Sequence, residues 1–205
     1  MAPLITEIYL QKAKGLRKER SRFNMKYWPV PESYSKKVPE RNAPGRFWEN
    51  RGDRHHCGVD IYAPEGSEVV CVEDGTVIEV GVFTSPERIP YWNVTHEVLI
   101  QHADGLVSRY AELGRLCVGQ GDPVTGGQVI GHVGRTLDQS KIGDQAPPYI
   151  QKLNHNNHQS MLHFELYRAF PRKSAHYLGG NTFENRRPER LVDPTAYLKS
   201  IETAT

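Results

Sequence analysis

The sequence predicts a mainly β domain behind a basic arm, and three features carry that expectation. From residue 56 onward, short apolar stretches alternate with turn residues, the texture of an all-β or β-rich chain. Two Asp-Gly pairs, Asp74-Gly75 and Asp104-Gly105, stand between apolar stretches and signal hairpins. Charge also divides the chain: residues 1–46 hold eleven Lys/Arg against four Asp/Glu, whereas the rest hold 15 against 20.

At 205 residues the chain is long enough for one domain with a sizeable core and an arm. A hydrophobic fraction of 38% and a mean hydropathy of −0.61 describe a soluble protein. No apolar run approaches the roughly 18–20 residues needed to span a bilayer, so no transmembrane segment is expected. The first twenty residues place a short mixed apolar stretch before a basic one, the reverse of a secretory signal. The expected location is therefore the cytoplasm, or outside the cell by a non-standard route such as lysis or phage. Cys57, Cys71 and Cys117 are an odd number without CxxC spacing and read as reduced thiols.

The elements follow in order. Residues 5–23 could form a short basic helix. Residues 24–50, with Pro29, Pro31, Pro39 and Pro44, read as an extended connector. The division is thus an arm and connector over 1–50 and a domain over 51–201. Asp74-Gly75 would join strands over 68–72 and 76–80, and Asp104-Gly105 strands over 94–102 and 106–113. Glycines 119, 121, 126 and 127 punctuate the approach to a strand over 129–133. Residues 137–160 are polar and irregular and read as a long loop, a feature that is often functional. A final strand over 162–167 and a terminal helix over 194–201 complete the chain. No internal repeat is present.

Two strand positions point to a metal. His56 and Asp60 are four residues apart, which puts them on one face of a strand or a helix. In Leu162-His163-Phe164-Glu165-Leu166, alternation buries the apolar residues and turns His163 the other way, with Met161 and Glu165. Two imidazoles and a carboxylate are a common zinc set, and three protein ligands leave a fourth position for water. Cys57, in an extended segment, would face away from both His56 and Asp60. The basic arm can attract polyanions, but no nucleic-acid motif accompanies it and no nucleic-acid partner is expected. A biotinyl or lipoyl carrier is excluded, because no lysine occurs between Val59 and Lys141 to be modified.

Arg54-His55-His56-Cys57-Gly58-Val59-Asp60-Ile61 with Ala63-Pro64-Glu65-Gly66 resembles the first metal motif of the lysostaphin/LytM-type zinc endopeptidases. Asp74-Gly75-Thr76-Val77, the 98–106 segment, Arg109-Tyr110-Ala111-Glu112-Leu113 and the 127–134 segment follow in the family's order. Leu162-His163-Phe164-Glu165 resembles the second metal motif, and Val192-Asp193-Pro194 the usual ending. The resemblance covers about residues 54–198. It implies a compact antiparallel β-sheet, sandwich-like, with a groove above it and short terminal helices. It also implies one zinc ion held by His56, Asp60 and His163. The implied substrates are peptidoglycan stem or cross-link peptides of bacterial cell wall, and the basic arm would suit anionic wall polymers.

The resemblance departs at two positions. Met161 stands where the family has the first histidine of its His-x-His motif, and Glu112 where it has an assisting histidine. A thioether moves no proton. Alternation along the strand puts Ser108, Tyr110 and Glu112 on one face, so Glu112 could act as general base and Tyr110 could support an oxyanion. Alternatively Glu112 hydrogen-bonds a metal-ligating histidine. His155 and His158, just before Met161, are a further possible source of an imidazole. The competing reading is a zinc-stabilised domain that binds wall peptide or a protein partner without cutting it.

Overall fold

The structure, a computed structural model, describes residues 25–155, 160–171 and 174–202. The segment expected to be a basic helix, 5–23, lies outside the described residues, as does His158. Twelve strands are present among the described residues. The first eight are β1 His55–His56, β2 Val59–Tyr62, β3 Glu68–Val70, β4 Gly75–Thr84, β5 Thr95–His102, β6 Val107–Leu116, β7 Pro123–Val124 and β8 Val129–Val133. After helix α1, Pro148–His155, come β9 Met161–Tyr167, β10 Tyr177–Leu178, β11 Asn181–Thr182 and β12 Leu191–Val192, then helix α2, Thr195–Glu202. No helix among the described residues is long and apolar enough to cross a membrane.

All the strand pairs are antiparallel. The fold is mainly β, as the sequence implied. In the nine-stranded sheet, β9 is flanked on one edge by β2 and β12 and on the other by β6, and β6, β5 and β4 continue the sheet outward. A small three-stranded sheet of β1, β11 and β10 lies beside it. One face of the large sheet packs the main core, in which Tyr110, Leu113, Leu162, Phe164, Leu198 and Ile201 are fully or almost fully buried.

Asp104-Gly105 forms the expected hairpin, with Gly105 at φ +86° and Gln101 opposite Val107. Asp74-Gly75 does not. It passes the chain from β3 to β4, but β3 pairs with β8, and β4 pairs with β5 and β7. Gly75 serves close approach here: a Cβ would lie 2.6 Å from Ile100 Cγ2 and 2.7 Å from the Gln101 carbonyl. The 137–160 loop contains a helix, α1, opened by Pro148 at a first-turn position that needs no N–H donor.

The described part of the connector, 25–50, packs onto the domain instead of standing off it. Trp28, Val30 and Val38 enter the main core, the Tyr27 amide donates to the Val72 carbonyl at 2.8 Å, and the Val70 amide donates to Pro29 at 2.9 Å. The segment runs through turns with most of its residues at the surface, and a few apolar side chains anchor it to the core.

Candidate metal centre

His56, Asp60 and His163 meet because three strands cross at one point. Asp60 on β2 is the register partner of His163 on β9, so their side chains rise as cross-strand neighbours. His56 closes the triangle from the end of β1. The His163 ring is enclosed by backbone: a Cβ on Gly58 would lie 2.8 Å from its Cε1, and one on Gly180, where φ is +75°, only 2.5 Å away. Larger residues at either position would displace the ring.

His56 Nε2 lies 3.0 Å from Asp60 Oδ1 and 3.0 Å from His163 Nδ1, and the latter is 2.9 Å from Asp60 Oδ1. The outer nitrogens are occupied. His56 Nδ1 donates to the Arg46 carbonyl at 2.8 Å, and His163 Nε2 donates to Glu165 Oε1 at 2.8 Å. Those partners only accept, so in the neutral imidazoles the inner nitrogens carry lone pairs. Three acceptors then face one another in a buried site, at 0%, 4% and 2% exposure. Only a cation relieves such an arrangement. Ligand bonds of about 2.0–2.2 Å in a tetrahedron put ligand atoms about 3.3–3.6 Å apart, so the 2.9–3.0 Å triangle need open only by a few tenths of an ångström to take the ion. The donor set fits zinc.

The electrostatics agree. Burial pushes His163 down, but hydrogen bonds to Asp60 and Glu165 outweigh it and bring its pKa up to about 9. Without a metal, a proton on His163 supplies the missing positive charge. Burial also lowers His56, and the Arg51 guanidinium adds to the effect. Asp60 is opposed by burial, yet His56, both imidazole hydrogen bonds and Arg51 hold it well below the usual carboxylate range.

Behind each ligand stands a fixed partner, the arrangement that sets ligand orientation and basicity. Arg51 Nη2 donates to Asp60 Oδ2 at 2.9 Å while its other nitrogens reach Glu49 and Asn181. Glu165, fully buried, accepts from His163, from Tyr177 at 2.7 Å, from Arg109 Nη1 at 2.6 Å and from Tyr167. Burial would raise its pKa, but Arg109 and these hydrogen bonds hold it far below normal.

A match to a family model, "Peptidase family M23", covers residues 54–176. The chain belongs to peptidase family M23. Among curated proteins, the DD-carboxypeptidase/endopeptidase Mpg of Neisseria meningitidis is 39% identical over 83 residues, 40% of this chain and 17% of that protein. The cell division protein DipM of Caulobacter vibrioides is 32% identical over 104 residues, 45% of this chain and 16% of that protein. The matches thus span less than a fifth of the length of either relative. Among solved structures, the catalytic domain of lysostaphin from Staphylococcus simulans aligns at 20% identity and TM-score 0.45, covering 76% of this chain and 87% of that one.

In this M23 chain the expected shared face of Tyr110 and Glu112 does not exist. Tyr110 points into the core, edge-on to Phe164 with ring centroids 5.4 Å apart, and its hydroxyl accepts the Val72 amide at 2.9 Å. Its expected oxyanion role is therefore withdrawn. The cause is a bulge. Pairing of β6 with β5 jumps from Ala111↔Glu97 to Leu113↔His96, and the intervening Glu112 sits at φ +66°. The inserted residue turns Glu112 to the metal face and returns Leu113 to the core. Glu112 is 9% exposed, and its Oε2 has no hydrogen-bond partner among the described residues. Burial, with the Asp60 charge next, raises its pKa to about 7.

Met161 lies on the His163 face, buried opposite Tyr62. Cys57 packs with Leu99, Val107 and Leu191, and burial pushes its thiol up. His155 ends α1, but its side chain, like His158, is outside what is described. Sequence reasoning missed Arg51, Arg109 and Tyr177. Glu165 was in reach, two residues from His163 on the same strand face. Arg109 needed the register Arg109↔Glu165, which no single strand reveals.

Proposed function

We propose that this chain is a zinc hydrolase of the M23 kind, acting on peptide cross-links of bacterial cell wall. The supporting observation is the convergence of three acceptor atoms, from His56, Asp60 and His163, on one buried point. His56, Asp60 and His163 would hold a zinc ion there, and the ion would supply Lewis acidity for a scissile carbonyl and a bound water. Glu112 takes the proton from the attacking water: it is a buried carboxylate whose Oε2 makes no aligned hydrogen bond among the described residues, with the Thr136 hydroxyl beside it and a pKa of about 7, suited to accepting a proton near neutral pH and passing it to the leaving amine. Arg51, Glu165 and the Arg46 carbonyl hold the three ligands in place. The basic residues of the first 46 would favour anionic wall polymers as a surface to dwell on.

One observation favours a second reading, a zinc-stabilised domain that binds wall peptide or a protein partner without cutting: Met161 cannot transfer a proton. The two separate on hydrolysis of purified cross-linked peptidoglycan by the full chain, zinc content measured alongside. Cleavage that Glu112→Gln reduces by about a hundredfold or more supports the peptidase. Zinc at one per chain with no released peptide supports the binding domain.

A further inference from the structure

Two neighbouring polar groups, Glu112 and Thr136, are buried without aligned partners. Glu112 is 9% exposed and Thr136 6%, and neither Glu112 Oε2 nor Thr136 Oγ1 makes an aligned hydrogen bond among the described residues. An unpaired buried hydroxyl is costly, and a valine would fill the same space without that cost. Shape alone therefore does not account for a threonine at 136.

Backbone contacts fix where the two groups meet. Glu112 stands on the β6 bulge at φ +66°, and the Gly134 amide donates to its carbonyl at 2.8 Å. Two residues on, the Thr136 carbonyl accepts the Asn93 amide at 2.8 Å, while Asn93 Nδ2 donates to the Arg135 carbonyl at 3.1 Å. A bridge between Arg135 and Ser160 ties the same segment to the start of β9. Thr136 thus approaches from a segment held at three points, whereas the long Glu112 side chain has torsions of its own to fix. Asp60, His163 and Arg51 act on Glu112 through charge, and Thr136 acts through its hydroxyl, which favours the ionised carboxylate. Arg51 is committed to Asp60, Glu49 and Asn181. Contacts between catalytic groups are often long before a substrate is in place and tighten in its complex.

We propose that Thr136 is a positioning residue for Glu112: its hydroxyl donates to Oε2 and turns the other carboxylate oxygen toward the attacking water. An ionised carboxylate only accepts, and a hydroxyl has one proton to give, so the pairing has one polarity. The other oxygen takes a proton from the water and gives it to the leaving nitrogen, and Thr136 keeps its own proton throughout. The use of this contact rests on the peptidase reading, but the contact itself does not require cleavage.

The contact is tested by a double-substitution cycle on the full chain, Thr136→Val with Glu112→Met, read as the denaturant unfolding midpoint. Thr136→Val is expected to lower the midpoint further in the wild-type background than in the Glu112→Met background. Equal shifts in the two backgrounds overturn the proposal. Hydrolysis of peptidoglycan peptides tests the role. Thr136→Val is expected to lower kcat about tenfold or more with KM changed less than about twofold, and Thr136→Ser to stay within about threefold of wild type. Zinc content should be the same in all three. A packing role predicts the reverse order, because serine opens a gap that valine fills, and that order also overturns the proposal. A wild-type chain that releases no peptide but shows the coupling loses the peptidase reading and keeps the contact.

Discussion

The two faces of the β6–β9 strand pair are built on opposite principles. Toward the core, Tyr110, Leu162 and Phe164 are held by contact area and shape, and the Tyr110 hydroxyl accepts from the Val72 amide and donates to Cys71 Sγ. Toward the groove, His163, Glu165 and Arg109 are as thoroughly buried but are charged, and each is fixed by the next. The core face tolerates exchange of like for like at small cost. The groove face is a chain of charges in low dielectric, in which removing any member strands its neighbour. Burial on one face stores stability, and on the other it sets the basicity of an imidazole proposed to hold the metal.

The contrast can be broken most severely at the ligands. Asp60→Ala is expected to cost zinc affinity more than the roughly 10–100-fold typical for losing an outer partner, read by competition with a chromogenic chelator. Glu165→Gln comes next. It leaves Arg109 buried beside a neutral amide and deprives His163 of its anion. An affinity loss of about 10–100-fold and destabilisation of about 3–5 kcal/mol are expected. Denaturant unfolding of chelator-treated protein separates the second effect from the first, and unchanged zinc affinity would contradict the role given to Glu165.

A pH effect follows in size. In metal-free protein the pKa of His163 is raised from 6.5 to about 9. Its contribution is fully present below about pH 6.5 and is lost as pH rises through 9, about 3 kcal/mol at most. Glu112, raised from 4.5 to about 7, acts in the same direction over a lower window. Metal-free protein should therefore lose stability from pH 5 to 9, while its zinc affinity rises as the His163 proton leaves. Unfolding curves across that range that stay flat would contradict this. The smallest effect sits on the core face. Tyr110→Phe orphans the Val72 amide and should cost about 1–3 kcal/mol, with zinc affinity and any hydrolysis unchanged.

How much of this was legible in sequence divides along the same faces. Alternation in 161–167 separates Leu162 and Phe164 from Met161, His163 and Glu165 correctly, because β9 is regular throughout. The same rule fails one strand away. Counting by twos presumes no inserted residue, and Glu112 is one, so Tyr110 and Glu112 part company. Asp74-Gly75 carried a hairpin signal, but only long-range pairing decides that β3 joins β8. Arg51 precedes the 54–176 family match and stands at the start of the expected domain, so nothing local marks it as the partner of Asp60.

The convergence of His56, Asp60 and His163 is tested most directly by elemental analysis of the purified full chain after exhaustive dialysis, beside His163→Ala. One zinc per chain is expected in the wild type and essentially none in the variant, with the variant still folded by circular dichroism. A wild-type chain that retains no zinc, or a variant that retains as much, would contradict it.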